Sequence, residues 1–180
     1  MNIVLIGYRG TGKTTVARLL AERLECPWWD ADEEIERRAQ QSIKEIFAAE
    51  GEAGFRNREV AVVADLAARS DSVLALGGGA VLRTANRQAI SASVVIWLTA
   101  SAATIWERVS SDPGTGQRRP NLTTAGGRSE IEALLNERDA VYRGCADHMV
   151  STEDKTADQV ADEIVCLVES GRGDTDCATA

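Results

Sequence analysis

Short apolar runs alternate with helical patterns along the chain, and Gly, Ser or Thr bounds each run. Three of these runs predict buried strands, at residues 2–6, 72–76 and 94–98. A helix is predicted at 14–24 after the first strand, because valine and leucine repeat there at helical spacing. Strands that alternate with helices predict an α/β fold whose parallel sheet is covered on both faces.

The segment between the first two of these units is too long for a simple crossover. Three helical patterns occupy it, at residues 32–40, 42–50 and 55–69. Gly51 and Gly54 are expected to break the last two patterns apart. We therefore predict a helical insertion at about 32–69, beside the sheet.

Hydrophobic periodicity disappears at about residues 110–128, where Ser, Gly, Pro, Thr and Arg predominate. This segment is longer than an ordinary connection and predicts a mobile lid. Three elements are predicted after it, a helix at 130–142, a strand at 148–150 and a helix at 156–168. Residues 1–170 would then form a single domain, and the small, polar residues 171–180 are expected to be a disordered tail.

The chain of 180 residues has 20 Lys and Arg against 28 Asp and Glu, which gives a formal net charge of −8. This sign argues against a general nucleic-acid binder, whose affinity depends on neutralising phosphates. No apolar run approaches the roughly 20 residues that span a bilayer, and no basic segment precedes the first run. We expect a cytoplasmic monomer with neither a membrane nor a nucleic-acid partner.

Residues 7–14, GYRGTGKT, match the P-loop pattern GxxxxGK[ST] between a predicted strand and a predicted helix. Glycines let successive N–H groups point at phosphate oxygens, and the following helix adds the positive end of its dipole. We expect Lys13 to reach the β and γ phosphates and the Thr14 hydroxyl to ligate Mg²⁺. The predicted nucleotide-binding residues of the loop are Gly10, Thr11, Gly12, Lys13, Thr14 and Thr15.

A P-loop indicates a bound nucleotide without defining the reaction. Switch GTPases, ATP-driven motors and small-molecule kinases all use it. The guanine-specific motif NKxD does not occur in the chain, and a motor would need a longer one. The size, the helical insertion and the arginine-bearing lid favour a kinase acting on a small molecule.

Asp30 and Asp32 follow the first predicted helix after a short apolar stretch. In an extended chain, alternation would place both carboxylates on one side, facing the phosphate site. One would suit the Mg²⁺ shell, and the other could orient or deprotonate an acceptor hydroxyl. The alternative is that Asp32 only caps a helix beginning at Glu33.

With these motifs the chain resembles the shikimate kinases, from Met1 to about Val168. The motifs occur in the order of that family: the P-loop, DADEEIE at 30–36, SIKEIF at 42–47, Gly51-Glu52 with FRNRE at 55–59, LGGG at 76–79, Arg119-Pro120, and Glu137-Arg138 with Tyr142. The resemblance implies phosphorylation of the 3-hydroxyl of shikimate by ATP with Mg²⁺, on the pathway to chorismate and the aromatic amino acids. It also implies a three-layer α/β/α architecture of the nucleoside-monophosphate-kinase type, with about five parallel strands in the order 2-3-1-4-5.

For the acceptor, the resemblance assigns Asp32 to the shikimate hydroxyls and makes it the expected base. Arg56 and Arg138 would bind the substrate carboxylate, with Glu59 bracing Arg56, and Gly78 would offer its backbone. Forked guanidinium groups are also the physical choice for a planar carboxylate.

For the donor, the resemblance assigns Asp30 to the Mg²⁺ environment through water. Arg119 would swing in with the lid to neutralise the transferring phosphoryl group, so that Lys13, Asp32 and Arg119 form the expected catalytic set. Arg108 and Lys155 would contact adenine, although the lid is longer and richer in glycine than the family pattern. Asn121 also stands where the family usually has leucine.

Two other functions remain open from the sequence. A kinase of the same architecture could act on another hydroxylated acceptor, such as gluconate or a nucleoside monophosphate. A nucleotide-binding regulatory module without catalysis is the other possibility, and tight ATP binding without acceptor-dependent turnover would indicate it.

Overall fold

The computed structural model describes residues 1–111 and 127–173, with side chains described up to residue 170. Its centre is a sheet of five parallel strands in the order β2-β3-β1-β4-β5. The strands are β1 (Ile3–Ile6), β2 (Trp28–Asp30), β3 (Val73–Ala75), β4 (Val94–Thr99) and β5 (His148–Ser151). The predicted α/β class is confirmed, together with the strand order that the family resemblance implies.

Helices cover both faces of the sheet. They are α1 (Lys13–Arg23), α2 (Ala31–Ala39), α3 (Ile43–Ala67), α4 (Thr84–Ala89), α5 (Ala102–Ser111), α6 (Arg128–Cys145) and α7 (Ala157–Gly173), with a 3₁₀ turn at Ala80–Leu82. Alternation along β1 divides the core, because Ile3 and Leu5 pack with α1 and α7 while Val4 and Ile6 pack with α2, α3 and α6. The result is the three-layer α/β/α architecture.

The helical insertion is built from α2 and α3. Ser42 begins α3 with a capping box, in which its hydroxyl accepts from the N–H of Glu45 while the Glu45 carboxylate accepts from the N–H of Ser42. Gly51 interrupts α3 with a non-helical backbone at φ 68° and ψ −174°. The predicted break at Gly51 is therefore confirmed. The break expected at Gly54 is wrong, because Gly54 lies within the continuous helix, where a glycine is tolerated at a cost of about 1 kcal/mol.

Asp30 and Asp32 do not alternate along an extended chain, and that prediction is wrong. Ala31 starts α2, so Asp30 ends a strand while Asp32 lies in the first turn of a helix. Asp30 is the residue that caps α2, and its carboxylate accepts from the N–H groups of Asp32 and Glu33. The capping role considered for Asp32 therefore belongs to its neighbour.

The later boundaries differ slightly from the prediction. Helix α5 runs to Ser111 and α6 begins at Arg128, so most of the expected lid, including Arg119, lies outside the described residues. Helix α7 continues to Gly173, past the expected boundary at residue 170, and 174–180 also lie outside. Within the described parts of the chain, no helix has both the length and the apolar character needed to cross a bilayer.

Candidate active site

A cavity of about 360 Å³ opens where β1, β2 and β3 end at the same edge of the sheet. In α/β folds, this carboxyl edge of the parallel strands is where ligands bind. The described residues that line it come from the loop after β1, the start of α2 and the turn after β3: Arg9, Gly10, Gly12, Lys13, Thr14, Thr15, Asp30, Asp32, Glu33, Glu36, Ile43, Leu76, Gly77 and Gly78. The cavity therefore joins the predicted phosphate loop to both predicted aspartates.

The P-loop forms one wall of this cavity. Gly7, Gly10 and Gly12 have φ values of 136°, 81° and 86°, which let the backbone curl into the loop. Gly12 precedes α1 without a side-chain cap, and the positive end of the helix dipole there favours an anion. Lys13 lies over the loop, with Nζ donating to the carbonyls of Gly7 and Tyr8 at 2.9 Å each.

Thr11 supports the loop from within. Its side chain is 1% exposed, and Oγ1 donates to the carbonyl of Tyr8 at 2.8 Å. The predicted nucleotide contact of Thr11 is thus available only through its backbone in this arrangement. Thr15, at the next turn, lines the cavity.

Thr14 and Asp30 form the part of the cavity that suits a divalent cation. The Thr14 hydroxyl donates to Asp30 Oδ2 at 2.7 Å, and Asp30 Oδ1 accepts from the N–H of Asp32 at 2.9 Å. Burial, with the nearby charge of Asp32, raises the pKa of Asp30 above its ordinary value of 3.8. A hydroxyl and one carboxylate beside a phosphate loop fit Mg²⁺, which takes oxygen ligands and usually keeps several waters.

Asp32 lies two residues further along, half-buried in the first turn of α2 and lining the same cavity. Asp30 is engaged with Thr14 and two backbone N–H groups, and Asp32 lines the cavity beside it as the residue predicted to meet an acceptor hydroxyl. The structure thus places both predicted aspartates at one cavity, with Asp30 at the end of a strand and Asp32 in the first turn of a helix.

The glycine turn after β3 brings the two predicted carboxylate-binding arginines together. Arg138 donates from Nη1 to the carbonyl of Gly78 at 3.2 Å, and the Tyr142 hydroxyl donates to the same oxygen at 2.5 Å. Arg56 approaches Gly79 so closely that a Cβ atom there would lie 2.6 Å from its Nη2. Both arginines are only 8% exposed, and neither is among the residues that line the 360 Å³ cavity itself.

Arg56 is held by an almost completely buried ion pair. Its Nη1 donates to both oxygens of Glu59 at 3.0 and 2.9 Å, and Glu59 is 0% exposed. The guanidinium carbon lies 5.3 Å from the centroid of the Phe55 ring, which stacks on Phe47 at 4.7 Å. These contacts fix the direction of Arg56, and they place Glu59 where the family resemblance expects a bracing residue.

A second cavity, of about 240 Å³, lies on another side of the P-loop. Its lining includes Thr11, Thr15, Arg108, Thr152 and Lys155. Arg108 donates to the Thr152 hydroxyl at 2.9 Å and to its carbonyl at 2.8 Å, and Lys155 pairs with Glu163 at 2.5 Å. The two residues expected at adenine therefore line one cavity next to the phosphate loop.

The sequence did not predict a place for Arg9 in the site or the contact that Tyr142 makes there. Arg9 lines the large cavity, but it occupies a position that the P-loop pattern leaves open to any residue. Tyr142 was part of the family motif, and its bond to Gly78 becomes visible only when α6 packs beside the glycine turn. Arg119 lies outside the described residues.

Comparison with known proteins agrees with this geometry. A family model described as shikimate kinase matches residues 9–169. The shikimate kinase of Methylococcus capsulatus is 48% identical over 84% of this chain and 83% of its own length, and that of Rhodopirellula baltica is 40% identical over 97% and 94%. A solved structure of shikimate kinase from Acinetobacter baumannii, in complex with shikimate, superposes with a TM-score of 0.88 at 37% identity, covering 94% of this chain and 93% of that one.

Proposed function

The chain belongs to the shikimate kinase family, and we propose that its P-loop cavity transfers the γ-phosphoryl group of ATP to the 3-hydroxyl of shikimate. The products are shikimate 3-phosphate and ADP, on the route to chorismate. One observation carries the proposal: the P-loop and the glycine turn that holds Arg138 are in direct contact. A Cβ atom on Gly78 would lie 3.3 Å from the carbonyl oxygen of Gly7.

The donor side follows from the P-loop. Its curled backbone and the uncapped start of α1 bind the phosphates, and Lys13 turns from the loop carbonyls to the β and γ phosphates. Thr14 and Asp30 would hold Mg²⁺, Asp30 through water. When bound, the ion neutralises charge on the phosphates and fixes their orientation.

We propose that the nucleotide base binds in the 240 Å³ cavity. Arg108 is kept in place there by its two bonds to Thr152, and its flat guanidinium can stack on adenine. Lys155 lines the same cavity, where its aliphatic chain can cover the ring.

The acceptor side is proposed to hold shikimate between Asp32 and the glycine turn. Asp32 accepts the hydrogen bond of the reacting hydroxyl and takes its proton as the new P–O bond forms. Arg56 and Arg138 bind the carboxylate, and Gly78 supports the ring through its backbone. Because Glu59 and Gly78 already orient the two arginines, little entropy is lost when the substrate binds.

Phosphoryl transfer passes through a loose transition state, so positioning and charge neutralisation matter more than a strong base. Lys13 and Arg119 are proposed to supply this neutralisation. Closure of the lid would bring Arg119 to the phosphoryl group and exclude water, which otherwise wastes ATP by hydrolysis.

We also propose that the protein works as a cytoplasmic monomer without a nucleic-acid or membrane partner. The net charge of −8 disfavours nucleic acid. Light scattering after size exclusion would measure the mass against the 19.3 kDa of a single chain.

The first experiment measures ADP release with Mg²⁺ and ATP against shikimate, quinate, gluconate and nucleoside monophosphates. Asp32→Asn is the matched variant, since it keeps the size of the side chain and removes its charge. Turnover with shikimate that is lost in Asp32→Asn is the expected result. Activity only with another acceptor would overturn the substrate, and ATP binding without any turnover would indicate a regulatory module.

A further inference from the structure

Arg9 is the arginine that lines the large cavity in the described part of the chain. Arg56 and Arg138 lie next to the glycine turn, while Arg9 projects from the P-loop on the other side of that contact. Its backbone N lies 3.4 Å from the position that a Cβ atom on Gly78 would occupy. Arg9 therefore sits where the phosphate loop meets the glycine turn.

Tyr8 brings Arg9 and Arg138 to one aromatic ring. The guanidinium carbon of Arg9 lies 5.9 Å from the ring centroid of Tyr8, and that of Arg138 lies 5.8 Å from the same centroid. The ring is 2% exposed, so it is a fixed support for both cations. A single side chain thus lies beside one arginine from the P-loop and one from α6.

Both arginines also have one side-chain N–H group without a hydrogen-bond partner in the described part of the chain. The Nε atoms of Arg9 and Arg138 are buried and have no hydrogen-bond partner among the described residues. Buried N–H groups are normally satisfied, and leaving one without a partner costs about 1–3 kcal/mol. An anion that bonds to both guanidinium groups would satisfy these two donors.

The charges of the cavity lead to the same conclusion. Its lining has the carboxylates of Asp30, Asp32, Glu33 and Glu36, and the cations that oppose them there are Lys13 and Arg9. Lys13 belongs to the phosphates, and the Nη1 of Arg56 is engaged with Glu59. An anionic acceptor entering this acidic cavity needs a further cation, and Arg9 is placed to provide it.

We propose that Arg9 acts with Arg138 to bind the carboxylate of the acceptor, and that it makes the enzyme selective for acceptors carrying this group. The inference rests on the proposed function and adds a specificity-determining residue to it. Arg9 touches the substrate far from the reacting hydroxyl, so its energy is used in binding the acceptor and not in transferring the phosphoryl group.

The test compares wild type, Arg9→Gln and Arg9→Lys with two acceptors, shikimate and its neutral methyl ester. Arg18→Gln is the matched control, because Arg18 is exposed on α1 and does not line the cavity. Arg9→Gln is expected to raise the KM for shikimate about tenfold, which is 1.4 kcal/mol, with kcat and the KM for ATP within twofold of wild type. Wild type and Arg9→Gln should use the methyl ester equally well. The preference for shikimate over the ester should therefore fall about tenfold in Arg9→Gln.

Arg9→Lys keeps the charge without the fork and should recover part of the loss. Binding of ATP to each variant shows that the P-loop is folded. An unchanged preference in Arg9→Gln would overturn the inference, as would an equal loss with both acceptors, which would place Arg9 at the phosphoryl group. Failure of the wild type to use shikimate would instead contradict the proposed function, so the two failures are distinguishable.

Discussion

Arg56 binds both carboxylate oxygens of Glu59 through one nitrogen, Nη1, in an ion pair that water scarcely reaches. In this arrangement, the Nη2 atom of Arg56 lies next to Gly79. We therefore expect Glu59 to act on the substrate through Arg56, as a positioning residue that does not touch the acceptor.

Glu59→Gln is expected to reduce stability and acceptor binding together. Removing one partner of a buried pair leaves the other charge uncompensated, which costs about 3 kcal/mol of unfolding free energy. The KM for shikimate should rise at least fivefold while kcat changes little, measured by steady-state kinetics and urea unfolding. Glu52→Gln is the control, because Glu52 is 65% exposed and approaches Arg56 only at 3.4 Å, and it should cost less than 1 kcal/mol. Equal effects of the two variants would contradict the bracing role.

Gly79→Ala tests the closeness of the glycine turn to Arg56. The added Cβ atom would lie 2.6 Å from Nη2, so the guanidinium must move although Glu59 holds it. We expect the KM for shikimate to rise about tenfold, equivalent to about 1.4 kcal/mol of acceptor binding.

Gly144→Ala is the matched control for that substitution. Gly144 lies in α6 with nothing within 4 Å of the added atom, so alanine should stabilise the helix by about 0.5–1 kcal/mol and leave the kinetics unchanged. Loss of acceptor binding in this variant as well would show that the effect at Gly79 is not local.

Lys13→Met is expected to lower kcat on the order of a hundredfold or more, if the lysine supplies about 3 kcal/mol to the transition state. Lys44→Met removes an exposed lysine from α3 and serves as the control for net charge. The same loss is expected for Arg119→Met. A drop below tenfold for both Lys13 and Arg119 would be incompatible with catalysis by charge neutralisation.

Asp30→Asn tests the proposed Mg²⁺ environment, since asparagine keeps the helix cap and removes the charge. The Mg²⁺ concentration needed for half-maximal rate should rise about tenfold, a loss of about 1.4 kcal/mol in binding the ion. Burial raises the pKa of Asp30, so its carboxylate takes up a proton at a higher pH than a free aspartate as the solution is acidified. As the pH is lowered, activity should therefore begin to fall above the ordinary aspartate pKa of 3.8. Added Mg²⁺ should shift this acid limb of the pH–activity profile to lower pH. An acid limb that does not shift with Mg²⁺ concentration would argue against the assignment of Asp30 to the Mg²⁺ environment.

The lowered pKa of Glu34 predicts how the free energy of unfolding changes at acid pH. It is 4% exposed and accepts from Arg37 and Arg38, whose guanidinium groups lower its pKa from 4.5 to about 2. A lowered pKa stabilises the folded state above pH 4.5, and this contribution is lost as the pH falls from 4.5 toward 2. Glu34→Gln should be less stable than wild type at pH 7 and lose this difference at acid pH, measured by urea unfolding across that range. Parallel curves for the two proteins would show that the ion pairs contribute nothing.

Local patterns in the sequence were sufficient for the P-loop, the strands β1, β3 and β4, and the kink at Gly51. They were insufficient for Asp30 and Asp32, because the point at which a strand becomes a helix depends on a cap, and either aspartate could have provided it. The order of the strands came from resemblance to a family and not from periodicity, since nothing within a single strand indicates its neighbours.

Contacts between distant segments account for most of what the sequence could not predict. Tyr142 reaches Gly78 across 64 positions of the chain, and Arg9 and Arg138 lie beside the same ring of Tyr8. A P-loop pattern that accepts any residue at position 9 cannot distinguish an arginine with a role from one without. In the fold, Arg9 lines the 360 Å³ cavity and lies beside the same ring as Arg138.

Parallel pairing of β1 with β3 has a consequence for how the enzyme can vary. Leu5 is the register partner of Ala75, so the P-loop and the glycine turn leave the sheet from adjacent strands, about 4.8 Å apart. Backbone hydrogen bonds of the sheet therefore set the spacing between donor and acceptor. Substitutions among the core side chains can change how stable the protein is while this spacing, and with it the alignment of the two substrates, stays the same.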